Sequence, residues 1–400
     1  MSRNYLLVCL SLFALILSSC NTEEQERERM LKARARRKVA LQKLSRVSAL
    51  PLNVQAPGNN PTTPGKVALG KLLFYDPVLS GDQDVACATC HHPDNGYAEF
   101  RDISIGVNGR GFGSRRSFRQ PNDIPFVKRN AHTILNTAFN GINHQNRYQP
   151  ERAPMFWDGR VESLEAQALE PIKTLEEMRG RHYPEADILD EVIRRLKAIP
   201  EYVQLFQKVF PDPDPVTAEN LGRAIAAFER SLVTNNSRFD QYMRGDKNAI
   251  SLDEKDGFEL FKKVGCANCH NGPMFSDYKM HVLGVPENDK LDQVDRGFEE
   301  RFAFRTPSLR NLRFTAPYMH NGELKSLKSV LEFYQDISQG KNRNRSVPNE
   351  QLDTLIRELQ ITVRDMAPII SFFNTLNDDQ FDREVPAEVP SGLQVGGNIR

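Results

Sequence analysis

The sequence predicts a mainly α-helical protein with two haem domains of cytochrome c type packed against each other. Apolar residues recur at helical spacing, as at Leu221, Ile225, Phe228 and Leu232, and alternating strand patterns are scarce. A C-x-x-C-H run, the attachment signature of c-type haem, occurs twice. Each run follows a similar helix-like segment, at residues 70–74 and 257–261. A length of 400 residues accommodates two such domains.

The N-terminus has the features of an export signal. Arg3 precedes an apolar run from Leu6 to Leu17, which is too short to span a bilayer and suits a signal peptide. The run ends in Leu-Ser-Ser-Cys20, which resembles a bacterial lipobox. We predict a lipoprotein signal peptide over residues 1–19 and a lipid anchor on Cys20; an ordinary signal peptide cut nearby is the alternative. Both interpretations place the protein on the periplasmic side of a bacterial membrane.

Residues 20–62 are predicted to hold the lipidated Cys20, a charged tether and a linker. Residues 23–46 contain nine basic and four acidic side chains, and residues 51–65 are rich in Pro, Gly and Asn. A solvated tether is the preferred interpretation, with contact to lipid headgroups as the alternative. The net charge of +1 excludes a strong polyanion partner such as nucleic acid.

A Pro-Asp-Pro-Asp-Pro break at residues 211–215 divides the remaining chain. We predict an N-terminal, peroxide-reacting haem domain over residues 63–215 and a C-terminal, electron-transfer haem domain over residues 216–384. Residues 385–400 carry few structure signals and are predicted to be a disordered tail. Further helices are expected over residues 185–199, 253–264, 326–337 and 349–376, with Pro368 as a kink or restart in the last.

The spacing of the C-x-x-C-H runs suits covalent haem. Two thiols two residues apart each form a thioether to one vinyl group, and the following His is the proximal iron ligand. The attachment residues are therefore Cys87, Cys90, His91, Cys266, Cys269 and His270. The remaining cysteines, Cys9 and Cys20, lie in the leader, so no pair is left for a disulfide. A structural zinc site built from both C-x-x-C pairs is the alternative, but it gives the two His no role.

Beyond these motifs, the chain resembles the bacterial di-haem cytochrome c peroxidases, and within them the MauG-like branch. The resemblance runs from about Gly65 to Leu376. Besides the two haem motifs it is carried by F-W-D-G-R at residues 156–160, E-E-M at 176–178, T-P-S-L-R-N at 306–311 and T-A-P-Y-M-H-N-G at 315–322. It implies an oxidoreductase whose first haem reacts with hydrogen peroxide and whose second haem relays electrons.

The resemblance also assigns roles around the first haem. Trp157 would lie between the haems as an electron relay, and Gln167 and Glu177 would be the distal-pocket pair. A carboxylate suits this place, because peroxide must lose a proton from one oxygen and gain one on the other as the O–O bond breaks. Glu176 is adjacent, and without the resemblance the residues do not distinguish it from Glu177.

One departure from the family concerns the first haem. Many members have S-I-G-H, whose His caps this haem, whereas the chain reads Ser104-Ile105-Gly106-Val107. Valine cannot ligate iron, so we expect an open distal side. A loop histidine at His92, His132 or His144 could substitute, although such residues more often have surface or structural roles.

A second departure concerns the sixth ligand of the second haem. Where many members supply Met, this chain has Tyr334, as in the MauG-like branch. An anionic phenolate favours the oxidised states of iron, whereas a thioether raises the potential. Met319 or His320 could coordinate instead, or Tyr334 could be a core aromatic residue. Met274 lies too close to His270 in sequence to reach the opposite haem face.

The resemblance further implies one Ca²⁺ between the domains. Its ligands would be the side chain of Asn130 and the backbone carbonyls of Thr315 and Pro317. Hard oxygen donors of this kind suit Ca²⁺. Only Asn130 would act through its side chain, so the expectation rests on the resemblance.

The preferred function is a peroxidase that reduces hydrogen peroxide with electrons from a small cytochrome c or cupredoxin. One alternative is a MauG-like oxidase that modifies residues of a partner protein. Another is a non-enzymatic di-haem electron carrier, in which both irons would be six-coordinate. Relatives of the first type are typically homodimers, but the sequence shows no decisive interface.

Overall fold

The computed structural model describes residues 27–32 and 47–399. Residues 27–32 are helical, and their side chains are exposed, as expected of a solvated tether. The other described residues belong to a compact unit that begins at Val47. The predicted signal peptide and Cys20 lie outside the described residues. Within those residues, no helix combines the length and apolar character needed to cross a membrane.

The predicted mainly α-helical fold is confirmed. The helices are α1 Pro64–Tyr75, α2 Cys87–Cys90, α3 Leu164–Gln167, α4 Glu170–Lys173, α5 Ile188–Ala198, α6 Pro200–Val209, α7 Ala218–Ser231, α8 Arg238–Met243, α9 Leu252–Lys263, α10 Leu327–Ser338 and α11 Val363–Asn374. A π-helical turn, Leu175–Arg179, follows α4. Local signals fix several boundaries: Thr63 caps α1, which has Pro64 in its first turn, and Ser251 and Glu254 form a capping box on α9.

The strands form three small antiparallel hairpins. They are β1 Gly109–Arg110 with β2 Ser117–Phe118, β3 Pro154–Met155 with β4 Val161–Glu162, and β5 Met280–His281 with β6 Phe304–Arg305. The F-W-D-G-R sequence is the loop between β3 and β4. It contacts the third hairpin, because the backbone N–H of Arg305 donates to the Trp157 carbonyl at 2.7 Å. The Trp157 loop therefore connects the two haem domains.

Both domains contain the same close helix crossing. A Cβ on Gly70 of α1 would lie 2.0 Å from the Ala224 carbonyl oxygen of α7. A Cβ on Gly257 of α9 would lie 2.0 Å from the Pro368 carbonyl oxygen of α11. Only glycine permits such an approach between backbones. The repeated G-x-x-x-F segments are thus the first helices of two equivalent helix pairs.

The aromatic residues of these segments pack in the same way. Phe74 of α1 contacts Phe228 of α7 with ring centroids 5.2 Å apart, and Phe261 of α9 contacts Phe372 of α11 at 5.3 Å. In each pair the phenylalanine lies one helical turn beyond the glycine crossing. These pairs lie in two separate hydrophobic cores, one for each domain.

The predicted domain boundary at residue 215 is wrong. Helix α7 follows the proline-rich break, yet its Leu221, Ile225 and Phe228 are buried in the first core with α1. The break is a turn between α6 and α7, both of which pack on the first domain. The first domain therefore includes α7, because its α1 needs this partner to bury its apolar face.

The prediction of a disordered tail is also wrong. Val389 is buried in the first core. The Gly396 N–H donates to the Tyr75 carbonyl at 2.7 Å, and the Gly396 carbonyl accepts from the Thr89 hydroxyl at 3.0 Å. The chain thus returns to the first domain and contacts its haem-attachment turn. Backbone hydrogen bonds, which leave no sequence pattern, order this segment.

The structure also differs from two smaller predictions, on the helix over residues 349–376 and on the linker. Residues 349–376 do not form one helix: two 3-10 turns, Asn349–Gln351 and Thr354–Glu358, precede α11. Pro368 lies inside α11 rather than at a restart. The predicted linker is ordered from residue 47, where Leu50 and Asn60 are buried and the Leu50 N–H donates to Asp240 Oδ1 at 2.9 Å.

Candidate active site

The first C-x-x-C-H run forms the turn α2 and its C-terminal residue. The His91 N–H donates to the Cys87 carbonyl at 3.0 Å, so the thiols and the imidazole share one turn. The Nδ1 of His91 lies 3.0 Å from the Tyr97 carbonyl oxygen. A carbonyl at Nδ1 fixes the ring and leaves Nε2 free to bind iron.

The second run repeats this geometry. The His270 N–H donates to the Cys266 carbonyl at 3.0 Å, and the His270 Nδ1 lies 2.9 Å from the Phe275 carbonyl oxygen. Burial lowers the pKa of both histidines, which keeps the imidazoles neutral and able to ligate a metal. The two motifs therefore present equivalent proximal ligands.

A single cavity of about 630 Å³ connects the two motifs. Its wall includes both proximal histidines, the four motif cysteines, Trp157, Gln167, Glu177 and Tyr334. Two thiols and an oriented imidazole at each end fit a covalently attached haem at each end. The cavity thus brings together the residues that the sequence assigned to both haems.

The alternative of a four-cysteine zinc site is wrong. Among the described residues, potential metal ligands gather within 4.8 Å at Cys269, Asp277 and His281, and this group contains a single cysteine. His281 is engaged by two carboxylates: its Nδ1 lies 2.5 Å from Asp353 Oδ2 and its Nε2 lies 3.3 Å from Asp277 Oδ2. The two C-x-x-C pairs do not converge on one ion.

Glu177 lies in the π-helical turn and faces the cavity. Burial raises the pKa of its carboxyl group to about 7, and the charge of Glu176 adds to this shift while Arg160 opposes it. Near pH 7 such a group both donates and accepts protons. Gln167 at the end of α3 and Glu176 line the same cavity. The Glu177 carboxyl group is therefore able to exchange protons near neutral pH.

Val107 is fully buried in the first core. Its N–H donates to the Glu177 carbonyl at 3.2 Å, and a Cβ on Gly106 would lie 2.2 Å from the same oxygen. The Ser104–Val107 segment therefore supports the turn that carries Glu177. Its last residue packs in the protein and supplies no iron ligand.

The three loop histidines do not replace the missing cap. His144 is exposed, and His92 packs on Phe112 with ring centroids 4.0 Å apart. His132 lines the cavity, but its backbone lies within hydrogen-bonding reach of the proximal His91. Its ring stacks on Trp157, with ring centroids 4.0 Å apart.

Trp157 is 7% exposed and is held between the domains. Its Nε1 donates to the Asn130 carbonyl at 3.0 Å. His132 stacks on its ring with a centroid separation of 4.0 Å, and the His320 ring meets its edge at 6.5 Å. The contact between His132 and Trp157 was not predictable from the sequence, because the two residues meet only in the folded protein.

Tyr334 lies on α10 and faces the cavity near the second motif. Burial raises the pKa of its hydroxyl group, and the neighbouring thiols of Cys269 and Cys266 raise it further. Met319 packs against the same apolar cluster as Tyr334, and it also lines the cavity. His320 instead stacks on Phe304 at 3.7 Å.

The three predicted calcium ligands also lie along this cavity. The Asn130 Nδ2 donates to the Arg101 carbonyl at 2.7 Å and to the Asp102 carbonyl at 3.1 Å. These bonds direct Asn130 Oδ1 away from both carbonyls. Thr315 and Pro317 line the cavity and lie a few residues before His320 in the chain. The His320 carbonyl accepts a hydrogen bond from the Asn130 N–H at 2.7 Å.

The part of the cavity near the first C-x-x-C-H run is called the first pocket, and the part near the second run the second pocket. Sequence reasoning missed Glu229, a buried carboxyl group in the wall of the first pocket. A signal for it exists, because Glu229 lies four residues after Ile225 and so falls on the apolar face of α7. A charged residue in such a stripe is uncommon without a role.

Comparisons with known proteins agree with this geometry. A family model described as di-haem cytochrome c peroxidase matches residues 64–248. The chain is 37% identical over 331 residues to the methylamine utilization protein MauG of Methylorubrum extorquens, covering 82% of each protein. It is 32% identical to the cytochrome c551 peroxidase of Nitrosomonas europaea, covering 81% of this chain and 83% of that protein.

A solved structure shares the fold and the family. It is described as a MauG-like protein associated with microbial copper homeostasis, and it aligns with a TM-score of 0.66 and 26% identity over 82% of this chain and 95% of its own. Both peroxidases and MauG proteins are thus relatives. The chain is an oxidoreductase that belongs to the di-haem cytochrome c peroxidase family, whose members carry two c-type haems.

Proposed function

We propose that the protein reduces hydrogen peroxide to water in the first pocket, with electrons relayed through the second haem. The observation that carries this proposal is that Glu177 and Gln167 line one cavity, while Val107, which replaces the capping His of many family members, is buried in the first core. Electrons would come from a small periplasmic cytochrome c or cupredoxin. When bound, the haems supply the redox-active irons for this reaction.

Glu177 is the proposed acid–base group. As a carboxylate it accepts the proton of the peroxide oxygen nearer the proximal side, and as an acid it returns the proton to the leaving oxygen. The raised pKa of Glu177, near 7, makes both steps accessible at neutral pH. The Gln167 amide, on the neighbouring wall, would orient the peroxide by hydrogen bonding.

Trp157 is the proposed electron relay. Its indole is fixed by the Asn130 carbonyl and by the stacked His132, and its loop contacts both domains. A rigid ring between the two attachment sites favours transfer from the second haem to the first. Because the ring needs no rearrangement, the relay costs little reorganisation.

Tyr334 is the proposed sixth ligand of the second iron. Burial raises the pKa of its phenol, so the free phenol is protonated. Binding of Tyr334 to iron must therefore release this proton to the surroundings. The compensating interaction is the phenolate–iron bond, which stabilises oxidised iron. Met319 is the competing ligand.

A second candidate function is a MauG-like oxidation of residues in a partner protein. Two observations favour it: Tyr334 stands where many peroxidases of the family have Met, and Val107 stands where they have the capping His. Both features favour oxidised, reactive haems over a high-potential electron acceptor. Electrons would then come from the partner protein's side chains.

A bound Ca²⁺ at Asn130, Thr315 and Pro317 is part of the proposal. It is supported by the orientation of Asn130 Oδ1 away from the carbonyls that occupy its Nδ2. Such an ion would fix Asn130, whose carbonyl holds Trp157. The proposed location is the periplasmic side of a bacterial membrane, with the lipid anchor on Cys20.

The test is addition of peroxide to the resting ferric protein, followed by absorption spectroscopy. A fast spectral change without prior reduction supports an open first site. A reaction that requires pre-reduction contradicts it. Turnover with a reduced small cytochrome then separates the two candidates: a MauG-like oxidase would consume peroxide slowly with that donor and faster with its protein substrate.

A further inference from the structure

A cluster of buried charges lies behind the wall of the first pocket. Glu229 and Arg230 on α7 are 4% and 2% exposed. Arg230 Nη2 donates to Glu165 Oε1 of α3 at 2.6 Å. Glu229 lines the cavity, so the cluster reaches the site itself. None of these residues has a part in the acid–base chemistry of Glu177.

Several atoms of this cluster are buried without hydrogen-bond partners among the described residues. They are Glu229 Oε2, Glu165 Oε2, and Arg230 Nε and Nη1. Leaving such groups unpaired in a protein interior is unfavourable, most of all for charged groups. Donors on one residue and acceptors on two neighbours are the arrangement that ordered internal water satisfies.

The cluster lies on the same wall as Gln167. Helix α7 packs closely on α3, since a Cβ on Gly222 would lie 2.5 Å from the Glu165 carbonyl oxygen. Gln167 is the last residue of α3. Glu229, Glu177 and Cys87 all line the same cavity.

The other end of the cluster reaches solvent. The Glu165 side chain is 18% exposed. Its Oε1 also accepts from Asn60 Nδ2 at 2.8 Å, and Asn60 Oδ1 accepts from Lys66 Nζ at 2.9 Å. These bonds fix Glu165 at the boundary between solvent and the buried arginine. Glu165 therefore connects solvent to the buried Arg230, whose neighbour in sequence, Glu229, lines the cavity.

The surroundings of Glu229 favour its protonated form. Burial raises its pKa to about 8, the charge of Glu165 on α3 raises it further, and Arg230 opposes the shift. On α2, Cys87 lines the same cavity as Glu229. At neutral pH Glu229 thus holds a proton next to the pocket.

We propose that Glu165 and Glu229, joined by internal water that Arg230 holds in place, form a proton path from solvent into the first pocket. The proposal rests on the proposed peroxidase function. One hydrogen peroxide, two electrons and two protons give two water molecules. Glu177 only moves a proton that peroxide already carries, so two further protons must enter from outside. The path supplies them, and Glu229 is its last protein group.

The experiment compares Glu229→Gln and Glu165→Gln in the di-haem protein. The control is Glu219→Gln on the same helix, whose side chain is 71% exposed and pairs with Arg223. Turnover of hydrogen peroxide is measured against pH with an artificial one-electron donor. Both path variants should lose about tenfold in turnover, with a larger loss as pH rises and protons become scarce. The control should match the wild type.

A second measurement does not depend on turnover. The wild type should show an infrared band of a protonated carboxyl group that disappears as pH rises through about 8. Glu229→Gln should lack this band while its haem content and resting spectrum stay unchanged. Loss of haem from Glu229→Gln would show that the residue holds the cofactor and would overturn the path.

The outcomes separate this inference from the proposed function. If the wild type turns over peroxide and both path variants follow the control at every pH, the path alone is overturned. If the wild type does not turn over peroxide, the proposed function and the path both fail. Reduced turnover in both path variants, together with loss of the infrared band in Glu229→Gln, supports the path.

Discussion

The two haem pockets share one framework but contain different chemical groups. Each has a glycine helix crossing, a C-x-x-C-H turn and a proximal histidine held by a backbone carbonyl. The first pocket adds buried carboxyl groups, Glu177 and Glu229, with raised pKa values. The second adds the phenol of Tyr334 and the imidazole of His281.

This difference indicates separate functions for two pockets that share one framework. Carboxyl groups that titrate near neutral pH can handle the protons that peroxide reduction requires. In the second pocket, hydrogen bonds to Asp277 and Asp353 raise the pKa of His281 against the effect of burial, which favours the charged imidazole. Such a group does not exchange protons near pH 7. The two pockets therefore share the haem-attachment framework and differ in their titratable side chains.

The largest effect is expected from Glu177→Gln. Loss of the acid–base group should lower peroxide turnover by about 10²–10⁴-fold while both haems remain attached. Glu176→Gln is the matched control, because it removes a neighbouring carboxylate from the same turn. Stopped-flow measurement of peroxide consumption checks the result. Equal losses in both variants would remove the distinction between the two residues.

Because both domains contain the same glycine crossing, equivalent substitutions should lower the free energy of unfolding by similar amounts. Gly70→Ala and Gly257→Ala each place a methyl group against a carbonyl oxygen and should each destabilise the protein by about 1–3 kcal/mol. Gly58→Ala is the control, since a Cβ there meets nothing within 4 Å. Thermal unfolding of the holoprotein measures the effect. A large loss in one domain only would contradict the equivalence of the two crossings.

The pH dependence of the initial peroxide reaction should reflect the titration of Glu177 in the first pocket. Glu177 must be a carboxylate to accept the peroxide proton, and its pKa is raised to about 7 by burial. The rate of the initial peroxide reaction should be retained above pH 7 and should fall about tenfold per pH unit well below it. Glu177→Gln should abolish this profile. A rate that rises as pH falls would assign the opposite protonation state.

A smaller effect on turnover is expected from Tyr334→Phe. Removing the phenol should change the absorption spectrum of the second haem and leave that of the first unchanged. Tyr318→Phe is the control, because its hydroxyl lies in the same region and donates to the Leu312 carbonyl at 2.9 Å. Resonance Raman spectra separate the two haems. An unchanged second haem would make Met319 the ligand.

Local sequence signals predicted the parts of this asymmetry that depend on short spacing. The C-x-x-C-H turns and the ends of α5, α9 and α10 within three residues follow from neighbours in the chain, whereas the absence of a ligand at Val107 follows from the family resemblance. The cavity also brings together Trp157, Gln167, Glu177 and Tyr334, which only the family resemblance had connected.

Features that depend on distant contacts were not predictable. The Pro-rich break looked like a domain boundary, but α7 completes the first core because α1 packs on it. The ordered C-terminal segment is held by backbone bonds to Tyr75 and Asp84, which no side-chain pattern records. The proximity of His132 to Trp157 arises from two loops that meet only in the folded protein.

The central claim is that the first iron is open and the second is closed. Electron paramagnetic resonance of the resting ferric protein tests it most directly. The account predicts one high-spin signal, from the haem held by His91, and one low-spin signal, from the haem held by His270 and Tyr334. Two low-spin signals would contradict it, because both irons would then carry two protein ligands.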